Sequence, residues 1–131
     1  MALLQFNKRS RQAWVPASYT ANETANIFRF AAGDLIFVGM SRVRVAFDGT
    51  SPSASFGDSG DTDRFFNTTD YTIATTGLYQ ATGGSGSVYA AIGRHLYTTA
   101  TTLTLTFTAA TGSPTVGSLD VWFYVAKVDP H

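Results

Sequence analysis

Acid–base work near neutral pH falls first to histidine, and this chain has two, His95 and His131. His95 stands beside Arg94 with no carboxylate close in sequence, so it reads as a structural or surface residue, and the terminal His131 is expected to fray. Cysteine is absent, which removes thiol catalysis, disulfide frameworks and cysteine-based zinc sites together. A zinc site would then need carboxylates from distant parts of the chain. Asp58, Asp61 and Asp63, set in a Gly-containing loop from Gly57, are the best metal candidates, because calcium takes several oxygen ligands from such loops. Their spacing is not that of an EF-hand and no Glu closes the loop; Asp and Gly are also ordinary turn residues. The expectation is a plain turn, with no metal and no cofactor.

The remaining catalytic patterns fail on spacing. Gly83, Gly84 and Gly86 lack the Lys-Ser or Lys-Thr that ends a phosphate-binding loop, and no predicted helix follows them. No Ser occurs in Gly-x-Ser-x-Gly with plausible acid and His partners. Glu23 is the single Glu, a poor start for a paired-carboxylate glycosidase. The sequence therefore offers no catalytic residue set, and a small hydrolase acting on cell envelopes is the weakest of three functional readings.

Contact chemistry is better represented. Lys8, Arg9 and Arg11 cluster near Phe6 and Trp14, where they would either neutralise phosphates while the aromatics stack on bases, or form a solvated arm that pairs with acidic groups on a partner protein. The second reading is preferred. Arg42 and Arg44 lie two apart, on one face of a predicted strand. They would either pair with an aspartate of the same chain or serve a subunit contact, where Arg is enriched.

These residues must be held by something, and the 131-residue length allows one domain with a core of its own. Hydrophobic residues make up 44%, with ten Phe and six Tyr to fill the space between packed sheets. Charged residues are only 14%, against about 25% in ordinary soluble domains, so much of the surface is expected to be covered by partners or by neutral Thr and Ser. Nine basic and nine acidic residues leave no global field to gather nucleic acid or an anionic membrane. No apolar run approaches the ~20 residues of a membrane helix, and the start of the chain does not read as a signal peptide; the protein is expected to stay soluble in the cytoplasm of the cell that makes it.

Strict alternation marks the elements, since a strand sends successive side chains to opposite faces. Residues 102–108 place Leu103, Leu105 and Phe107 on one face and threonines on the other. Residues 118–128 direct Leu119, Val121, Phe123 and Val125 inward, leaving Asp120, Trp122, Tyr124 and Ala126 outside, where two large aromatics need cover. In residues 41–47, Val43, Val45 and Phe47 point one way and Arg42 and Arg44 the other, with Gly39 a candidate bend. Shorter candidates at 26–30, 54–56, 71–74, 78–81 and 88–92, separated by Gly, Asp, Ser and Pro clusters, complete about seven or eight strands. The expectation is an all-β antiparallel sandwich, jelly-roll-like, over residues 25–131, preceded by residues 1–24 as an N-terminal arm or a first edge strand.

Several segments also carry a family resemblance. Leu35 to Phe47 running into Asp48, Gly49 and Thr50, then Ser55 to Phe65, Tyr71 to Ile73, Thr76 with Gly77, Ala109 to Gly112 and the Leu119 to Val125 strand resemble small β-sandwich virion proteins of tailed bacteriophages, the head decoration or cement proteins. The resemblance implies a jelly-roll-like subunit, often trimeric, that sits on the capsid with the major capsid protein and other virion proteins as partners. Residues 1–33 lie outside the resemblance, and the contact candidates, read from the residues themselves, are Lys8, Arg9, Arg11, Trp14, Arg42, Arg44, Trp122 and Tyr124. The alternative is a tail, collar or fibre module recognising host glycans through loop aromatics such as Tyr79 and Tyr89.

Overall fold

The computed structural model describes residues 3–81 and 94–129. Among them lie nine strands: β1 (Leu3–Trp14), β2 (Glu23–Phe30), β3 (Asp34–Val45), β4 (Ser53–Asp58), β5 (Asp61–Phe66), β6 (Gly77–Gln80), β7 (His95–Leu96), β8 (Thr101–Thr108) and β9 (Ser118–Asp129). One sheet runs β1-β9-β3-β6, with the short β7 also pairing β3; the other runs β2-β8-β4-β5. Every pairing is antiparallel. The chain crosses between the sheets at almost every connection, and with β7 set aside this order is that of a jelly roll. No helix of the described residues is long and apolar enough to cross a membrane.

The alternating segments supply the core. Leu103, Leu105 and Phe107 of β8 face Leu119, Val121 and Phe123 of β9, all at 2% exposure or less. Phe123 is the hub, with its ring centroid 5.0 Å from Phe65, 6.0 Å from Phe30, 6.2 Å from Phe28 and 6.4 Å from Phe66. Edge-to-face packing of this kind adds to area burial alone. Gly39 is paired with Phe123 in the ladder, and a Cβ there would come 2.5 Å from the Phe123 ring. That glycine is therefore a seat for the ring, and β3 runs through it unbroken.

Three local expectations differ. The β3 ladder against β9 slips between Ile36 and Val38 and again between Val43 and Val45. The second slip inserts a residue into the period-two pattern, so Val45 is 47% exposed while Val43 and Phe47 are buried. The acidic segment from Gly57 to Asp63, expected as a plain turn, runs into β5 (Asp61–Phe66), with the turn confined to Ser59 and Gly60. Residues 71–74 are not a strand, although Tyr71 and Ile73 are buried. The expected strand at 88–92 and the glycine-rich run at 82–87 lie outside the described residues. At the N-terminus, β1 pairs β9 from Leu3 opposite Asp129 to Trp14 opposite Leu119, with a bulge between Phe6 and Lys8.

Candidate functional site

Residues opposite one another in an antiparallel ladder share a face, so the outer side of the first sheet follows from its register. One row runs Arg11, Trp122, Met40 and Gln80; the next runs Ala13, Asp120, Arg42 and Leu78. The bulge at Arg44 turns that residue outward as well. Beneath them Ser41 is fully buried and its hydroxyl donates to the Asp120 carbonyl at 2.8 Å, leaving the Tyr71 hydroxyl to donate to Ser41 at 2.6 Å. Burial pushes the Tyr71 phenol up, keeping it a donor at any ordinary pH. This buried hydroxyl chain pins β3 to β9 where their outward residues meet.

Asp120 is buried although it belongs to the outer face, because arginines cover it. The Arg11 guanidinium donates to its Oδ2 at 2.7 Å, and Arg44 Nε stands 3.5 Å from the same oxygen. Oδ1 is buried with no hydrogen-bond partner among the described residues. The side chains of Arg11 and Arg44 stay 54% and 46% exposed, so both keep N–H groups turned to solvent. Beside them a groove of about 550 Å³ is lined by Arg42, Arg44, Thr76, Gly77, Leu78 and Trp122. Leu78 is 59% exposed. Three guanidiniums against one carboxylate give the patch an excess of positive charge beside an apolar floor.

A second polar cluster lies at the opposite end of the sandwich, around the β4–β5 hairpin. Asp58 is 3% exposed, and its carboxylate accepts from Arg64 Nε at 2.7 Å, Arg64 Nη2 at 3.2 Å, the Tyr97 hydroxyl at 2.7 Å, and the Gly60 and Asp61 amides at 2.9 and 3.0 Å. Burial alone would raise this carboxyl, but the Arg64 and Tyr97 hydrogen bonds and the guanidinium charge outweigh it and hold it below its ordinary value. Tyr97 is pushed up by burial and by its bond to Asp58. His95 packs edge-on against Tyr97 at 4.6 Å; burial and the Arg64 charge lower its pKa, and its Nδ1 is buried without a partner among the described residues. A pocket of about 290 Å³ opens here, but the Asp58 carboxylate that would act in it is already consumed by five donors.

The sequence candidates separate accordingly. Arg11, Arg42, Arg44, Trp122 and Tyr124 share the outer face of the first sheet, with Tyr124 36% exposed. Lys8 and Arg9 occupy β1 positions opposite Val125 and Tyr124. Trp14 belongs to the core instead, 9% exposed and packed on Phe47 and Phe107. Asp58, Asp61 and Asp63 are divided: Asp58 faces Arg64, while Asp61 and Asp63 lie along β5, where the Asp61 carboxylate raises the pKa of Asp63. Among the described residues no group of three or more His, Asp or Glu is placed to hold a metal ion. Tyr79 packs edge-on against Tyr71 at 5.1 Å; Tyr89 and His131 lie outside the described residues. Sequence reasoning missed Asp120, Leu78 and Arg64. A hairpin centred on Ser59 and Gly60 sets Asp61 opposite Asp58, so the Arg64–Asp58 pair, six residues apart, is not read from the turn alone.

No protein-family model and no curated protein matches the chain. Its fold does match solved structures. It is similar to a chain in the capsid asymmetric unit of cyanophage Pam1, with a TM-score of 0.64 and 17% identity, covering 98% of this chain and 85% of that one. It is also similar to a chain of the acid-stable capsid of Helicobacter pylori bacteriophage KHP30, with a TM-score of 0.61 and 11% identity, each chain covered in full. At such identities the likeness is one of fold.

Proposed function

We propose that this chain is a structural protein of a bacteriophage virion, and within it a head decoration or cement protein that binds and stabilises the assembled shell. The observation that carries the proposal is end-to-end likeness to chains of two phage capsids, spanning 85% and 100% of those chains. The match is thus to small separate polypeptides of capsids, not to a domain within a longer chain. The fold itself hosts many functions, so the site must agree with the reading. It does: the polar cluster at the hairpin is spent on internal bonds, whereas the outer face of the first sheet presents Arg and Trp, the residue types that dominate interface energy.

Such a protein needs no chemistry. A subunit that binds only assembled shell stabilises that shell by mass action, and the gain grows with occupancy. Its partners are the major capsid protein or other virion proteins, and self-association into a closed ring, a trimer, fits the role. Quantitative mass spectrometry of purified particles is the test. Stoichiometric abundance in heads separated from tails is expected; a monomer in solution that is absent from particles contradicts the proposal. The tail, collar or fibre reading loses support from Tyr79, which packs against the core.

A further inference from the structure

The groove on the outer face of the first sheet has the makings of a defined site. Its charge is fixed: Arg42 is exposed and lines the groove, and Arg44 is held over Asp120 by the bulge in β3. Its floor is apolar, from half-buried Trp122 to Leu78 at 59% exposure, and Val45 at 47% exposure follows Arg44 along the strand. Its edge is open. The β6 ladder ends at Gly77 opposite Val43 and Phe47 N–H is bonded to the Ile73 carbonyl, so among the described residues the open stretch of β3 is Arg44 and Val45. A volume of about 550 Å³ is within the roughly 300–1,000 Å³ usual for ligand sites.

We infer that this groove seats an extended acidic and apolar segment of a neighbouring virion protein, with carboxylates on Arg42 and Arg44 and an apolar side chain between Trp122 and Leu78. The inference rests on the virion reading above and names the surface through which it operates. Charge complementarity selects the occupant: an excess of guanidinium calls for carboxylate, and the planar fork of Arg takes it bidentately. The buried Asp120 tethers Arg11 and Arg44 in advance, which lowers the ordering cost of binding.

The chain has two Trp, and only Trp122 lines the groove while Trp14 is in the core, so fluorine NMR of fluorotryptophan-labelled protein carries its own control. A synthetic peptide alternating Glu and Leu should shift the Trp122 signal saturably and leave Trp14 unmoved, with binding weakened by added salt. Arg42→Glu and Leu78→Glu, both on exposed side chains, should each weaken that binding by about tenfold or more. Equal binding of a Lys and Leu peptide, equal Arg42-dependent binding of an oligoglucuronate, or unchanged affinity in both variants overturns the inference. In particles, Arg42→Glu should fail to incorporate. Incorporation at the wild-type level overturns the groove and leaves the virion reading standing; absence of the wild-type chain from particles removes both.

Discussion

Two buried aspartates, one at each end of the sandwich, hold arginine in opposite ways. Asp58 has every lone pair occupied, and Arg64 beside it is only 15% exposed, so the guanidinium is turned inward and used up. Asp120 leaves one oxygen without a partner among the described residues, while Arg11 and Arg44 remain about half exposed above it. The first arrangement closes a hairpin and docks the Tyr97 segment. The second holds cationic groups at the surface with donors to spare. A buried acidic residue is thus a staple when its partners are satisfied and a mount when they are not.

Replacing each anchor should separate the roles. Asp58→Ala strands Arg64 and Tyr97 in a low-dielectric site, and the expected loss by urea denaturation is about 3 kcal/mol or more. Acid should act at the same place. The Asp58 carboxyl titrates lower in the folded chain than in the unfolded one, so the stability it confers is present above about pH 4 and fades as pH falls through its folded value. His95 is also lowered, so the unfolded chain takes its proton first and stability already declines below about pH 6.5. Thermal unfolding should show both stages, with His95→Gln removing the upper and Asp58→Asn the lower. Asp120→Ala should cost less, on the order of 1 kcal/mol, because its arginines are part-solvated and one unsatisfied oxygen disappears with it. Arg42→Glu should change stability by no more than about 0.5 kcal/mol while weakening groove binding by about tenfold or more. If Asp120→Ala proves as damaging as Asp58→Ala, the contrast between staple and mount is lost.

Much of the fold was legible because burial on one face writes a period of two into the sequence. Residues 102–108 and 118–125 alternate as their strands require, and the members expected to face inward, Leu103, Leu105, Phe107, Leu119, Val121, Phe123 and Val125, are buried. The pattern failed where the backbone broke period: at Arg44, where a bulge sent Val45 outward, and at β5, whose Asp61 and Asp63 carry turn chemistry into an edge strand. The site was half legible. Arg42, Arg44, Trp122 and Tyr124 could be placed on one face each, but the meeting of Arg11 with Asp120 spans 109 residues and depends on β1 lying beside β9. Trp14 misled because an aromatic at the end of a basic segment looks like an arm, and only the sheet order turns it into the core.

A density map of the intact particle is the most direct test of whether this jelly roll is a virion subunit that docks by the outer face of its β1-β9-β3-β6 sheet. The account predicts the chain on the head shell with Arg42, Leu78 and Trp122 covered by a neighbouring protein. A map with that face open to solvent and the threonine face of β8 in contact instead would contradict it.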